Sequence, residues 1–211
     1  EGKIVVCERG GGVNRVLKGL VVKQAGGIGM IIGNGVLYRE ELTAQAHLVP
    51  ATQVGFSAME EIQRYTSTTF GGEAAASESP TASIYFNGTR VGYTRAPVMA
   101  AFSARGPNPL SLDVLKPDFT APGVNILAAW TAASSATGID EDKRRVLFNI
   151  ISGTSMSCPH VAGLAALLKS AHPTWSPAAI KSALMTTAKV EDDTGRPITD
   201  SAAGGADATP L

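Results

Sequence analysis

The segment that most constrains the fold is a strand, a tight turn and a helix in direct succession, at residues 146–171. Residues 146–151 are an apolar run of strand length, and residues 161–171 are apolar and rich in small side chains, as expected of buried elements. Between them lies Ser-Gly-Thr-Ser-Met-Ser-Cys-Pro-His, residues 152–160. Because a strand that leads directly into a helix is the repeating unit of α/β sheets, this segment predicts α/β architecture.

Strand and helix signals alternate along the rest of the chain, which supports the same fold class. The predicted strands are residues 3–7, 28–32, 51–54, 82–86, 98–102 and 124–129. The predicted helices are residues 15–24, residues 59–65 with Ser57 as N-cap, and a last helix that starts at Pro177 behind the N-cap Ser176 and runs to about residue 188. Residues 68–80 are small and polar and read as a loop.

The character of the chain changes near residue 95, which predicts two domains. Residues 1–95 are long enough for a small domain, and residues 96–211 carry the strand–turn–helix segment. The first residue is Glu1 and the last segment has no closing element, so we interpret both ends as truncations of a longer chain. A fragment that lacks neighbouring strands exposes sheet edges, and we do not expect it to fold stably alone.

Composition excludes several classes of function. The 211 residues are 44% hydrophobic and 17% charged, and Lys+Arg and Asp+Glu are 18 each. The formal net charge is therefore zero, which gives no basis for binding nucleic acid or an anionic membrane surface. No apolar run approaches the ~18 to 20 residues of a membrane span. No Cys, His or Asp cluster has metal-ligand spacing, so we expect neither a metal nor another cofactor.

The turn before the last apolar helix can present a nucleophile. Gly153 predicts a backbone angle or a close approach that a side chain would block, and Ser155 then lies at or near the first helical turn. Unpaired amides and the positive helix end there favour a developing negative charge. We place Pro159 in the same first turn, where it would remove no hydrogen bond. The simpler interpretation is that Ser155 only caps the helix, because Ser and Thr are ordinary caps.

The wider sequence favours the catalytic interpretation. Residues 148–163, FNIISGTSMSCPHVAG, resemble the nucleophile segment of the subtilase family in its plant, cucumisin-like form. Residues 102–107, 116–130 and 175–188 resemble the family's flanking blocks, although Ala104 replaces the usual Ser. Residues 1–95 resemble the α+β protease-associated domain that plant subtilases insert before that segment. The resemblance covers nearly the whole chain and identifies it as a member of this family.

The resemblance implies a serine endopeptidase that acts on protein or peptide substrates without a cofactor. Residues 96–211 would be the C-terminal part of a subtilisin-like parallel-sheet catalytic domain. Ser155 would be the nucleophile, and Gly153 and Thr154 would line the substrate cleft. The family's Asp, His and oxyanion Asn precede the inserted domain and would lie outside this chain. A nucleophile without its base loses most of its rate advantage, so we expect the fragment alone to be inactive.

Local substitutes for the missing base and carboxylate are weaker candidates. His160 is five residues from Ser155, roughly 140° around a helix, and we interpret it as a packed structural histidine. His47 and His172 lie in loop-like contexts without a catalytic pattern. Asp118 precedes a loop and is expected to make structural hydrogen bonds. Residues 193–195, Asp-Thr-Gly, match the family's Asp motif but follow Ser155 and are predicted to form a surface turn.

Other features bear on location and packing. Asn87-Gly88-Thr89 is a glycosylation sequon, and plant subtilases generally carry a secretion signal, so a secreted, extracellular or cell-wall location is implied. Cys158 is expected to be a buried free thiol, and Cys7 to be free or bonded outside this chain, although a Cys7–Cys158 disulfide is possible. The small residues of 161–171 predict a tightly packed central helix. Trp130 and Trp175 are predicted core residues.

The alternative to an enzyme is a non-catalytic module. Residues 1–95 could serve protein binding or homodimerisation while the remainder of the chain is catalytically dead. Asp-(Thr/Ser)-Gly and His-Gly-Thr-His segments upstream of this sequence would support the enzyme, and their absence would support the module.

Overall fold

A computed structural model describes residues 1–70, 80–92 and 95–209. The described elements are, in chain order, β1 (Ile4–Glu8), α1 (Arg15–Gln24), β2 (Gly29–Gly33), β3 (Ala51–Val54), α2 (Phe56–Phe70), β4 (Val98–Met99), β5 (Ile126–Ala129), β6 (Phe148–Ile151), α3 (Thr154–Ala171), α4 (Pro177–Thr187), β7 (Thr199–Asp200) and β8 (Ala206–Asp207). The alternation of strands and helices agrees with the predicted α/β class.

The chain divides into two compact units. The first comprises Glu1–Val91 and Ala129–Ile150, and the second comprises Gly92–Ala128 and Ile151–Leu211. The domain boundary near residue 95 remains a prediction.

The first unit is built on a parallel sheet in the order β1-β2-β3. β1 pairs with β2 from Ile4 opposite Gly29 to Glu8 opposite Gly33, and β2 pairs with β3 from Met30 opposite Ala51. Met30 and Ile32 on the central strand are fully buried and pack with Val22 of α1. Burial of each such side chain contributes roughly 1.5–3 kcal/mol, so this cluster is the core of the unit.

Local signals fix α1 where the sequence predicted it. The side chain of Asn14 accepts a hydrogen bond from the Val16 backbone N–H at 2.9 Å and caps the helix. Val16, Gly19 and Val22 form its buried face at the three-residue spacing of one helix side. The chain leaves the helix at Gly26, whose φ of +78° is the left-handed conformation that glycine adopts readily.

A buried polar network holds the loop that follows β2. Asn34 is fully buried; its amide donates to the carbonyls of Arg39 (3.0 Å) and Glu41 (2.7 Å). Its Oδ1 accepts from Gln53 Nε2 at 3.0 Å. Because a buried amide is costly unless its donors and acceptors are paired, these bonds fix the loop's path back to β3.

Several predicted elements are longer, shorter or absent. α2 begins at Phe56, so Ser57 is not its N-cap as predicted but lies inside its first turn, where its hydroxyl bonds Glu40 (2.6 Å). The predicted strand 82–86 is wrong, because the structure gives that segment no strand partner within its described residues. The predicted strand 98–102 is reduced to β4. Part of the predicted loop 68–80 lies outside the described residues, and its first residues belong to α2.

The second unit contains a small mixed sheet and two helices. β4 pairs with β7 in parallel, and β7 pairs with β8 antiparallel. Ser176 caps α4 by accepting from the Ala179 N–H at 3.2 Å, with Pro177 in the first turn, as predicted. Among the described residues, no helix is long and apolar enough to cross a membrane.

Candidate active site

Ser155 is the second residue of α3, four residues beyond the end of β6. Its side chain is exposed, and within the described part of the chain no group hydrogen-bonds its hydroxyl. A serine that only capped the helix would precede it and accept from an amide of its first turn. The position occupied by an N-cap belongs instead to Gly153, which has no side chain to donate or accept. The capping interpretation of Ser155 therefore fails.

The first turn of α3 has free hydrogen-bonding capacity next to Ser155. Side-chain capping is absent from this turn, and the Met156 N–H bonds the Gly153 carbonyl at 3.0 Å. The first amides of a helix have no intrahelical acceptor, and the positive helix end adds to their field. A donor so placed at a developing oxyanion contributes roughly 2.7–4 kcal/mol to transition-state stabilisation.

The glycine that the turn requires is Gly123 and not Gly153. Gly153 has an extended backbone with φ 161°, and a Cβ there would meet nothing nearer than 3.8 Å. A Cβ on Gly123 would instead lie 2.4 Å from Ser157 Oγ and 2.9 Å from the Gly153 carbonyl oxygen. The prediction that Gly153 prevents a steric clash is therefore wrong, because the close approach comes from a segment 30 residues earlier in the chain.

That earlier segment, residues 121–125, contacts the turn on both sides of Ser155, and we call it the brace loop. Before Ser155, the Gly153 N–H donates to the Gly123 carbonyl at 2.8 Å. The Asn125 N–H donates to Ser152 Oγ at 2.8 Å, and Ser152 Oγ lies 3.3 Å from Asn125 Oδ1. After Ser155, Ser157 Oγ donates to the Ala121 carbonyl at 2.8 Å. The turn is thus held by tertiary hydrogen bonds.

Pro159 lies in the second turn of α3, not in the first as predicted. The helix begins at Thr154, which makes Pro159 its sixth residue. A proline has no N–H to donate to the carbonyl four residues earlier, and that carbonyl belongs to Ser155. The Ser155 carbonyl therefore receives no hydrogen bond from the residue four positions later in the helix.

Each of the three histidines has its own local surroundings in the described structure. His160 is exposed, and its Nδ1 lies 2.8 Å from the Met156 carbonyl one turn earlier, so the prediction that it is packed is wrong. His172 stacks on Trp175 with ring centroids 4.0 Å apart. His47 buries Nδ1 without a hydrogen-bond partner in the described structure, and burial lowers its pKa below the usual value.

The two acidic candidates have structural partners. Asp118 pairs with Lys116 and, at 2.7 Å, with Lys181 of α4, and hydrogen bonds from these two lysines lower its pKa. Asp193 accepts from the Ala96 N–H at 3.1 Å, and Asp193, Thr194 and Gly195 form an exposed turn. These contacts agree with the structural roles predicted for both segments.

Several packing predictions are corrected. Cys158 is exposed rather than buried, and both cysteines are free thiols; burial raises the pKa of Cys7. α3 has no residue that is fully buried within the chain, so the predicted tight packing around its small residues is not observed. Trp130 and Trp175 are half-buried and not core residues. Asn87 is exposed in an irregular segment.

The structure brings Gly153, Thr154 and Ser155 together, as consecutive residues require, and it adds residues that the sequence did not indicate. Gly123 and Ser157 were missed because their importance comes from contact across 34 residues of sequence. The only signal was the Ala121-Pro122-Gly123 string itself. Among the described residues, no cluster of three His, Cys, Asp or Glu side chains could hold a metal ion.

One groove described in the second unit does not include Ser155. A cavity of about 520 Å³ lies between α3 and α4 and is lined by apolar side chains that include Val161, Trp175 and Leu184. Lys169, Lys181 and Asp118 also line it. None of its lining residues belongs to the turn that presents Ser155, so the groove is not part of the candidate active site.

Comparisons with known proteins agree with the geometry. A subtilase family model matches residues 51–206, and a PA domain model matches residues 1–62. The chain is 59% identical over 205 residues to subtilisin-like protease SBT1.7 and 56% identical over 205 residues to subtilisin-like protease SBT1.5, both of Arabidopsis thaliana. Each alignment covers 97% of this chain and 26% of the relative, so the chain spans about a quarter of the length of these relatives.

The matched subtilase model includes the brace loop, the turn around Ser155 and both helices of the second unit. The chain therefore belongs to the subtilase family.

Proposed function

We propose that the protein containing this chain is a serine endopeptidase and that Ser155 is its nucleophile. The observation that carries the proposal is the Ser155 hydroxyl, which is exposed and unbonded in the described structure, in the first turn of α3. The family membership supports it, because subtilases hydrolyse peptide bonds of protein substrates. The proposed reaction is attack of Ser155 Oγ on a peptide carbonyl, followed by transfer of the acyl group to water.

The turn supplies two of the parts that such a reaction needs. The Ser155 N–H, free of a side-chain cap, would donate to the oxyanion that forms on the substrate. Gly153 and Thr154 would line the adjoining part of the substrate cleft. The hydroxyl proton of Ser155 must pass to a base as the new C–O bond forms, and the base returns it to the leaving amine.

The base, its orienting carboxylate and a second oxyanion donor would come from polypeptide outside residues 1–211. Within the described part of the second unit neither His160 nor His172 hydrogen-bonds Ser155, and His160 bonds its own helix. We therefore propose that this chain alone hydrolyses peptides poorly or not at all. Removing the base from a catalytic triad leaves only a small residual acceleration.

A fluorophosphonate probe tests the nucleophile, because it modifies only an activated serine. The full-length protein is expected to incorporate the probe at Ser155, whereas residues 1–211 alone and the Ser155→Ala variant are expected not to react. Ser176→Ala is the matched control, because it removes a capping hydroxyl from the same unit. Full-length protein that folds but takes no label at Ser155 contradicts the proposal.

The finer assignments of fold and location belong to the same proposal. Residues 96–211 would be the C-terminal part of a subtilisin-like parallel-sheet domain, and residues 1–95 an inserted protease-associated domain. The protein would be secreted to the extracellular space or cell wall, and the inserted domain could mediate a homodimer. Light scattering of the full-length protein, with and without residues 1–95, tests the dimer: an unchanged mass per particle after correction for the deletion argues against it.

A further inference from the structure

We propose that the brace loop sets the direction of the Ser155 hydroxyl and that Ser157 is the positioning residue through which it acts on the helical side. This inference rests on Ser155 being the nucleophile. Ser157 does not touch the reacting atoms. It fixes the backbone that carries them, through one hydrogen bond to the Ala121 carbonyl at 2.8 Å.

The position of Ser155 between two anchors carries the argument. On the strand side, Gly153 and Ser152 bond the brace loop at 2.8 Å each. On the helix side, the hydroxyl of Ser157 in α3 donates a hydrogen bond to the Ala121 carbonyl of that loop. Two tertiary anchors that flank a three-residue span leave that span little freedom. Loss of the Ser157 anchor would leave the first turn of α3 held from one side only.

The ordinary helical restraints are weak at this point, which is why the anchors matter. No side chain caps α3, and Pro159 cannot donate to the Ser155 carbonyl. The close approach of Gly123 shows that the loop is seated directly on the turn, since a Cβ there would overlap Ser157 Oγ. A tertiary contact thus replaces the cap and the missing ladder bond.

Misplacement of a nucleophile affects the chemical step more than binding. A displacement of about 1 Å can lower a rate by about 100-fold. The brace loop acts on the backbone of Ser155 and not on the peptide's remote subsites, so we expect the Ser157→Ala variant to lower kcat by roughly 10- to 100-fold at unchanged KM. The rate of fluorophosphonate labelling should fall by the same factor.

The test uses full-length protein and three variants. Ser157→Ala removes the donor, and Ser157→Thr keeps a hydroxyl and is expected to restore at least part of the rate. Thr187→Ala is the matched control: it removes a hydroxyl that bonds the Ala183 carbonyl at 2.7 Å within α4 and should leave kcat unchanged. Thermal unfolding of each variant shows that rates are compared between folded proteins.

Ser152→Ala provides a second measurement if Ser157→Ala does not fold, since it loosens the same brace loop from the strand side. Slower labelling of folded Ser157→Ala or Ser152→Ala supports the inference. Labelling of the folded variants at the wild-type rate overturns it while the proposed function stands. Wild-type protein that takes no label contradicts the proposed function itself, and with it the positioning role.

Discussion

The backbone N–H of Gly153 donates to the carbonyl of Gly123 at 2.8 Å, so two glycines from distant parts of the sequence meet at the turn that carries Ser155. The contact depends on the absence of a side chain at Gly123. It joins the segment before β5 to the segment after β6 within the second unit.

Gly123→Ala is expected to lower the free energy of unfolding by about 1–3 kcal/mol, as overpacked side chains do, because the added Cβ would lie 2.4 Å from Ser157 Oγ. Chemical denaturation of the full-length protein measures the effect. The double variant Gly123→Ala with Ser157→Ala removes one of the two overlapping groups, so its loss should be smaller than the sum of the single losses. Strict additivity would contradict direct contact between these two residues.

Asp142 should make the first unit sensitive to acid. Its buried carboxylate accepts from Arg144 Nε at 2.8 Å and from Thr137 Oγ1 at 2.9 Å, and the Arg144 guanidinium holds the pKa of that carboxyl well below its usual range. A lowered pKa stabilises the folded state above the unfolded-chain pKa of about 3.9, and this contribution is lost as pH falls toward the folded-state pKa.

Asp142→Asn is therefore expected to lower the unfolding midpoint at pH 7, by roughly 5 °C, and this difference from wild type should shrink below about pH 4. Glu141→Gln, a change at the exposed neighbouring side chain, should leave the midpoint at pH 7 unchanged. A wild-type–variant difference that stays constant down to pH 2 would show that Asp142 acts through shape rather than charge.

His47 should add a second pH dependence in a separate window. Burial, reinforced by Arg15 and Arg144, lowers its pKa, so the folded state holds it neutral where the unfolded chain begins to bind a proton. Stability is then lost as pH falls through the unfolded-chain value of about 6.5. Both His47→Leu and His47→Gln are expected to reduce the slope of the unfolding midpoint against pH between about pH 7 and pH 5. If the slope survives both changes, another group causes it.

Asn87 is exposed within its sequon, so protein secreted from plant cells is expected to carry a glycan there. The Asn87→Gln and Thr89→Ala variants should both lack the mass of this glycan, because each changes a different required residue of the acceptor motif. Intact-mass measurement before and after glycosidase treatment checks this. An unmodified Asn87 in secreted wild-type protein contradicts the assignment.

Elements governed by nearby residues were predicted well. The bounds of α1 and the cap of α4 follow from Asn14, Ser176 and Pro177, which act on amides within a few residues of themselves. The apolar run 161–171 marks only the body of α3, which begins seven residues earlier at Thr154; the prediction that Ser155 lies at or near the first turn is confirmed, but the exact start was not given, because Ser, Cys and Pro are weak helix formers. Residues 82–86 alternate like a strand, but pairing requires a partner that alternation alone does not supply.

The site was predicted in part for the same reason. Ser155 is marked as a candidate by its own neighbours, and it is an exposed residue in the structure; its role as nucleophile stays a prediction. The residues that contact the turn from the brace loop could not be found this way. The need for glycine at position 123 becomes clear only when its contact with Ser157 is known. Long-range contacts of this kind leave no periodic pattern in the sequence from which they could be predicted.

Pro159 has a consequence for how changes in α3 reach Ser155. The ring nitrogen of Pro159 carries no proton, so Pro159 donates no hydrogen bond to the carbonyl of Ser155. Changes in α3 beyond Pro159 therefore reach Ser155 through neighbouring bonds, such as the one between His160 Nδ1 and the Met156 carbonyl, and not through a ladder bond to its own carbonyl. If the brace loop acts as proposed, the direction in which the Ser155 hydroxyl leaves the backbone depends more on residues 121–125 than on the later turns of its own helix.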